Sequence, residues 1–293
     1  MTIFCRFRPG LRFKLLAAIV SVVAIAVACV GYFTIRYSYQ ALKSQRQQDE
    51  LSIARNIVAQ VEEALSHASQ SVEALAQDPA IVSMDRSRQR EALTLATRVT
   101  ELLDGILVMD QAGRSLVTDQ TEPRTEDLLP KDDRRHLLEP SADGARARFS
   151  EVFASRSGES VLAINAPIRR AGAQVGVLSG VILLKNHSLG GIEGIRIGKS
   201  GYAYLVDSRG NVIVRPRQAK LHGDLSSNPA VRELLRKREG VMEFVNQDGV
   251  AIMAAIAPIE QTGWGVVVRQ PASEAYALGR RMLLLIMLAC ILG

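Results

Sequence analysis

The chain has 293 residues, with 36 Lys and Arg against 30 Asp and Glu, a formal net charge of +6 and one Trp. So modest a positive excess, with no basic tract interleaved with aromatics, argues against a nucleic-acid binder. The three cysteines, Cys5, Cys29 and Cys290, lie near the ends of the chain. The long middle therefore has no disulfides and must be held by an apolar core.

Residues 1–14 carry Arg6, Arg8, Arg12 and Lys14 and no acid, and read as a cytoplasmic N-terminus. Residues 15–35 follow without a charge. As a helix they span roughly 31 Å, enough to cross a bilayer's hydrocarbon core. This is the expected first transmembrane helix, and the positive-inside rule sends residue 36 onward outside. A cleaved signal is the competing reading, with Ala26-Val27-Ala28-Cys29 as a lipobox-like site, but the apolar run is long for a signal peptide.

Residues 36–78 read as a stalk helix. No Pro or Gly interrupts 36–77, and Leu51, Ala54, Val58, Val61, Leu65, Ala68, Val72 and Leu75 step by alternating threes and fours. That is a heptad seam, which can pack on a twin helix or on its own domain. Its strict 3.5-residue period favours a homodimer through the stalk. Asp78-Pro79 ends it, and a second helix is expected over Arg88–Asp104, stopped by Gly105.

Beyond it the chain repeats itself. Leu107–Val117 and Leu205–Val214 share one plan: an apolar strand, an Asp-x-x-Gly turn at Asp110 or Asp207, and another apolar strand. Gly158 stands nine residues before Pro167, and Gly249 nine before Pro258. Each copy then closes with an apolar run, Gln174–Leu184 and Trp264–Val268. Two tandem α+β domains with antiparallel sheets follow from this. Between the paired features of the second copy a helix should start at the Asn228-Pro229 cap and stop at Gly240.

Two motifs invite a catalytic reading and fail it. Gly198-Lys199-Ser200 is the end of a phosphate-binding loop, but position 193 holds Glu193 rather than Gly. The alternating apolar run from Tyr202 onward predicts a strand, not the helix such a loop needs. Gly190–Gly194 is similar to a cyclase signature but lacks its second acid and Phe, and reads as a loop before a strand. His67, His136, His187 and His222 are scattered, so no metal site is expected, and neither a catalytic residue nor a cofactor is assigned. Tyr202 and Tyr204 share a strand face and read as packing residues. At the end of the chain Met282–Gly293 (282–293) is an uncharged run that reads as the start of a second transmembrane helix, truncated.

The segments GKSGYAYLVDSRGNVIVRP, AAIAPIEQTGWGVVVRQPASEAY and NAPIRRAGAQVGVLSGVILL resemble the double Cache (dCache, PAS-like) sensor domains of bacterial transmembrane receptors such as sensor histidine kinases. The resemblance covers about residues 36–276. It implies a membrane-distal Cache unit at 79–185 that holds the ligand and a membrane-proximal unit at 186–276 that is often empty. It also implies a bacterial inner-membrane location with the sensor portion periplasmic. A histidine kinase is the first-choice output; a diguanylate cyclase, a chemoreceptor, or a membrane-anchored binding protein without an output domain are the alternatives. Relatives that bind amino acids carry an Arg followed by aromatics in the pocket helix and an Asp on the last distal strand. Here Arg134-Arg135-His136-Leu137-Leu138 lacks the aromatics, and Gly180-Val181-Ile182 stands where the Asp is expected. An α-ammonium group would lose its carboxylate partner. The basic residues of the distal unit (Lys131, Arg134, Arg135, His136, Arg146, Arg148 and Arg156) suit a small organic anion instead, although interleaved acids could make them a solvated face. Arg135, His136 and Arg148 are the expected ligand-binding residues.

Overall fold

The structure is a computed structural model, and it describes residues 11–99, 102–118, 128, 146–184, 189–216, 219, 223–277 and 279. Helix α1 (Leu11–Ala76) opens the chain. The expected 15–35 span lies within it, although the side chains of several of those residues lie outside the description. Among the described residues no helix is long and apolar enough to cross a membrane, and the expected second span, 282–293, lies outside them. Two compact units are distinguished, 1–48 with 275–293 and 49–274. In the first, the Lys43 ammonium sits 5.7 Å from the centre of the Tyr276 ring.

α1 ends where the sequence requires. Asp78 turns extended and its carboxylate accepts from the Ala80 N–H at 2.7 Å, capping the short α2 (Pro79–Val82) with proline in its first turn. Helix α3 (Arg86–Val99) starts two residues earlier than its predicted Arg88. The cause is Asp85, whose Oδ1 accepts from the amides of Ser87 and Arg88 at 2.9 and 3.0 Å. Asp104 is not part of that helix, because its N–H donates to Val181 O at 2.8 Å and joins the sheet.

The first sheet is built from β1 (Gly105–Asp110), β2 (Ser115–Thr118), β3 (Arg148–Phe149), β4 (Phe153–Ala154), β5 (Ser160–Arg170) and β6 (Ala173–Leu183). Its order is β2-β1-β6-β5-β3, with β4 also on β5, and every pairing is antiparallel. The second comprises β7 (Arg196–Ile197), β8 (Gly201–Val206), β9 (Val212–Val214), β10 (Gly240–Val245), β11 (Ala251–Ile259) and β12 (Trp264–Pro271). Its order is β10-β11-β12-β8-β7, with β9 also on β8, again wholly antiparallel. In both, the last strand sits between the opening hairpin and the long third strand, so the sequence repeat is a repeat of connectivity.

The turns repeat at atomic detail. Asp110 Oδ1 accepts from the amides of Ala112 and Arg114, both at 2.9 Å; Asp207 Oδ1 accepts from Arg209 and Asn211 at 2.9 and 2.8 Å. Gly113 and Gly210 complete them with φ of 79° and 92°, a region closed to most side chains. The Gly158 and Gly249 turns also match: the Ser155 hydroxyl oxygen and Asn246 Oδ1 each accept from the amide four residues on.

Residues 49–76 of α1 lie along both sheets. Ala54, Ile57, Val61, Leu65, Ala68, Val72 and Ala76 are buried, with steps of 3, 4, 4, 3, 4 and 4 residues. That is close to the period of a straight helix. Leu51, Val58 and Leu75 of the predicted heptad seam are only partly buried, while Ile57 and Ala76 take core positions. A straight helix lying on sheet faces presents a 3.6-residue stripe, whereas a 3.5-residue seam serves supercoiling. The stripe expected to meet a twin helix is thus filled within the chain. The opposite face carries Arg55, Asn56, Gln60, Glu63 and His67, all polar or charged. At Gly180 a Cβ would come within 2.7 Å of Val72 Cγ2, so glycine lets β6 approach the helix.

Helix α4 (Pro229–Leu235) has the predicted cap: Asn228 Oδ1 accepts from the Ala230 N–H at 2.9 Å. It ends at Leu235, short of the predicted Gly240. Glu233 draws Arg236 and Arg238 to its carboxylate at 2.6 and 2.7 Å, and Lys237 turns left-handed with φ of 57°. Gly198-Lys199-Ser200 is the turn between β7 and β8, so a strand follows it. Gly190–Gly194 lies in a 3-10 turn, Leu189–Gly194.

Candidate ligand-binding face

The three central strands of the first sheet, β1, β5 and β6, show two apolar faces. Ile106, Val108, Leu162, Ile164, Leu178 and Ile182 pack toward α1. The alternate residues Leu107, Met109, Val161, Ala163, Val177 and Val181 form a second cluster with Leu128 on the outer face. A sheet buried on both faces reads as continuous apolar runs, which is how β5 and β6 read in sequence. Two residues break the outer face. Ser179 is fully buried, and Asn165 lies directly opposite it in register. The Ser179 hydroxyl donates to Asn165 Oδ1 at 2.5 Å.

Directly opposed residues of antiparallel strands share a face. Arg148 pairs with Asn165, Asn165 with Ser179, Ser179 with Leu107 and Leu107 with Thr118. Arg148, Asn165, Ser179, Leu107 and Thr118 therefore form one row across the outer face, polar over its first three positions and apolar at Leu107. Of the expected ligand residues, Arg148 stands exposed at the start of this row. Arg135 and His136, with Lys131 and Arg134, lie outside the described residues. Three further hydrogen bonds fix the β3 end. Glu73 of α1 accepts from the Ala147 N–H at 2.6 Å, and Ser150 exchanges bonds with Ala163 at 2.8 and 3.0 Å.

Sequence reasoning missed Asn165 and Ser179. Their signal was present: each is the lone polar side chain within its apolar run, Val161–Ile168 and Val175–Leu184. A buried polar side chain in such a run needs a partner. Asn165 Oδ1 accepts from Ser179, which turns the amide's two N–H groups away from Ser179 and makes them donors for something else. Arg148 places a guanidinium at the edge of this face. Arg146 and Arg156 are exposed, off this row. Among the described residues no group of three or more His, Cys, Asp or Glu could hold a metal ion.

The chain belongs to the Cache domain family, whose pattern matches residues 38–278. Solved structures it is similar to include ligand-binding domains, among them those of Pseudomonas chemoreceptors. One is that of Pseudomonas fluorescens CtaA with L-isoleucine, at 17% identity and a TM-score of 0.62, covering 82% of this chain and 98% of that one. Another is that of Pseudomonas aeruginosa PAO1 PctB with L-Gln, at 20% identity and 0.60, covering 78% and 91%. A third is that of Mlp24 with asparagine, at 15% identity and 0.58, covering 83% and 99%. At these identities the likeness establishes the fold. No curated protein matches the sequence.

Proposed function

We propose that this chain is the extracytoplasmic sensing part of a bacterial transmembrane receptor, and that its first sheet, within a unit at 79–185, takes a small carboxylate-bearing molecule on the outer face. The observation that carries this is the row Arg148–Asn165–Ser179, a guanidinium and an amide donor set into an otherwise apolar surface. Apolar walls with a few convergent donors are the usual make-up of a small-molecule site, and a guanidinium suits a carboxylate's two oxygens. Arg135 and His136 belong to the same reading. The Arg148 guanidinium matches a ligand's negative group.

The chemoreceptor domains it resembles were solved with isoleucine or glutamine. Their company favours a chemoreceptor output over the histidine kinase expected from the sequence wording. Membrane anchoring rests on the charge-free run 15–35 and on Ile19, Val22, Val23, Val30 and Phe33, which are all more than half exposed on α1. Apolar side chains lined up without protein cover suit lipid. Homodimerisation through the stalk enters this reading only before Asp49, where Tyr37 and Tyr39 are exposed.

A thermal scan of the full chain in detergent, against small carboxylates, amines and neutral amides, tests the reading. A ligand at 100 times its Kd adds about 2.7 kcal/mol, which raises Tm by several degrees. A carboxylate should stabilise the wild type, and Arg148→Ala or Asn165→Ala should remove the effect. Stabilisation by amines alone, or an effect indifferent to both substitutions, would overturn it.

A further inference from the structure

The second sheet carries a different arrangement on its outer face. Arg196 of β7 and Arg269 of β12 both pair in register with Tyr202 of β8, so the three side chains form a row with the ring in the middle. The Arg269 guanidinium lies 5.3 Å from the ring centre, a cation–π contact that fixes one side of Tyr202. Burial raises the Tyr202 pKa and Arg269 partly offsets it, so the phenol stays a neutral donor.

Beside this row opens a cavity of about 440 Å³, lined by Glu193, Arg196, Lys199 and Tyr202, with Ile195 and Pro216 among its apolar walls. Its floor is rigid. Glu274 Oε2 accepts from the amides of Lys199 and Ser200 at 3.0 and 3.1 Å, and Oε1 from the Ser200 hydroxyl at 2.7 Å. These bonds, the hydroxyl's first, hold the Glu274 carboxyl below its ordinary pKa. The turn's amides are therefore taken, and the donors left to face the cavity are side chains. Among the described lining residues, Arg196 and Lys199 against Glu193 leave one positive charge in excess, enough to match one negative charge. The volume falls within the range, about 300–1,000 Å³, of small-molecule sites.

We propose that this cavity is a second ligand site, separate from the first-sheet face, for a compact organic monocarboxylate. The carboxylate would rest on Arg196 and Lys199, and its apolar body on Tyr202, Ile195 and Pro216. The site does not depend on the reading of the first sheet.

Titration calorimetry of the full chain in detergent micelles with benzoate, and with benzamide as its uncharged isostere, tests it. Benzoate should bind, and benzamide at least tenfold more weakly. Arg196→Ala and Lys199→Ala should each weaken benzoate at least tenfold. Arg196 and Lys199 are exposed, so their loss should spare the fold, with an unchanged Tm as the check. Ile195→Trp, which fills the cavity without changing charge, should also abolish binding. The proposal is overturned if benzoate does not bind, if benzamide binds equally well, or if both substitutions leave benzoate binding intact. Benzoate binding lost only with Arg148→Ala would overturn it as well, while placing the anion on the first sheet.

Discussion

Leu65 sits fully buried in the stripe by which α1 lies along the sheets. Leu65→Ala removes three buried carbons and leaves a void between a helix and sheets that cannot close around it. Substitutions of this kind cost about 2–5 kcal/mol, transfer and cavity together. For a unit the size of Asp49–Glu274, each kcal/mol moves Tm by about 2–4 °C, so a loss of about 3 kcal/mol lowers it by about 6–12 °C. Leu51→Ala, at a seam position that is only partly buried, should cost less than half as much. The assay is thermal unfolding by circular dichroism at two protein concentrations a hundredfold apart. The structure predicts the same large drop for Leu65→Ala at both concentrations, because the leucine packs within its own chain. A drop seen only at the lower concentration, with dissociation of a dimer, would refute that reasoning.

Three further outcomes follow from local geometry. Gly201→Ala would set a Cβ 2.4 Å from Ile197 O and 2.9 Å from Arg269 O, and backbone on both sides cannot yield; a denaturant midpoint should report a loss of about 1–3 kcal/mol or more. Asp110 is held below its ordinary pKa by the Arg114 amide first, then by the Arg114 guanidinium and the Ala112 amide. A depressed carboxyl stabilises the fold above its ordinary value of 3.8 and ceases to as pH falls below it. Asp110→Asn keeps the turn's acceptor, so unfolding followed from pH 6 to pH 2 should fall less steeply than in wild type; an unchanged slope would show that Asp110 does not contribute. The Arg209–Glu151 ion pair joins side chains that are 66% and 67% exposed, so Arg209→Ala should change stability by less than about 1 kcal/mol in chemical denaturation.

What was legible in the sequence was short-range chemistry. The Asp110 and Asp207 turns, the stalk's end before Asp78-Pro79, the cap at Asn228 and the strand after Lys199-Ser200 each depend on a few adjacent residues, and each was found as read. The two-sheet α+β architecture followed from the repeat of those turns. What was misread depended, apart from the end of α4, on a partner distant in sequence. The stripe on α1 could be told from a coiled-coil seam only by knowing that two sheets lie against it, which exchanged Val58 for Ile57 and Leu75 for Ala76. Helix α4 ends early because Glu233 gathers Arg236 and Arg238, a local pull that a glycine-based stop at Gly240 overlooks. At the candidate site Arg148 was legible as one cation among several. Its alignment with Asn165 and Ser179 was not, because cross-strand register brings together residues 148, 165 and 179, and no spacing along the chain encodes that.

The most direct measurement is a crystal structure of the protein with the carboxylate that raises its Tm most. The account predicts the ligand's carboxylate on the Arg148 guanidinium, with Asn165 Nδ2 donating to the same molecule and Ser179 still bonded to Asn165 Oδ1. A ligand bound with the outer face of the first sheet vacant, or seated there with an ammonium rather than a carboxylate toward Arg148 and Asn165, would contradict it.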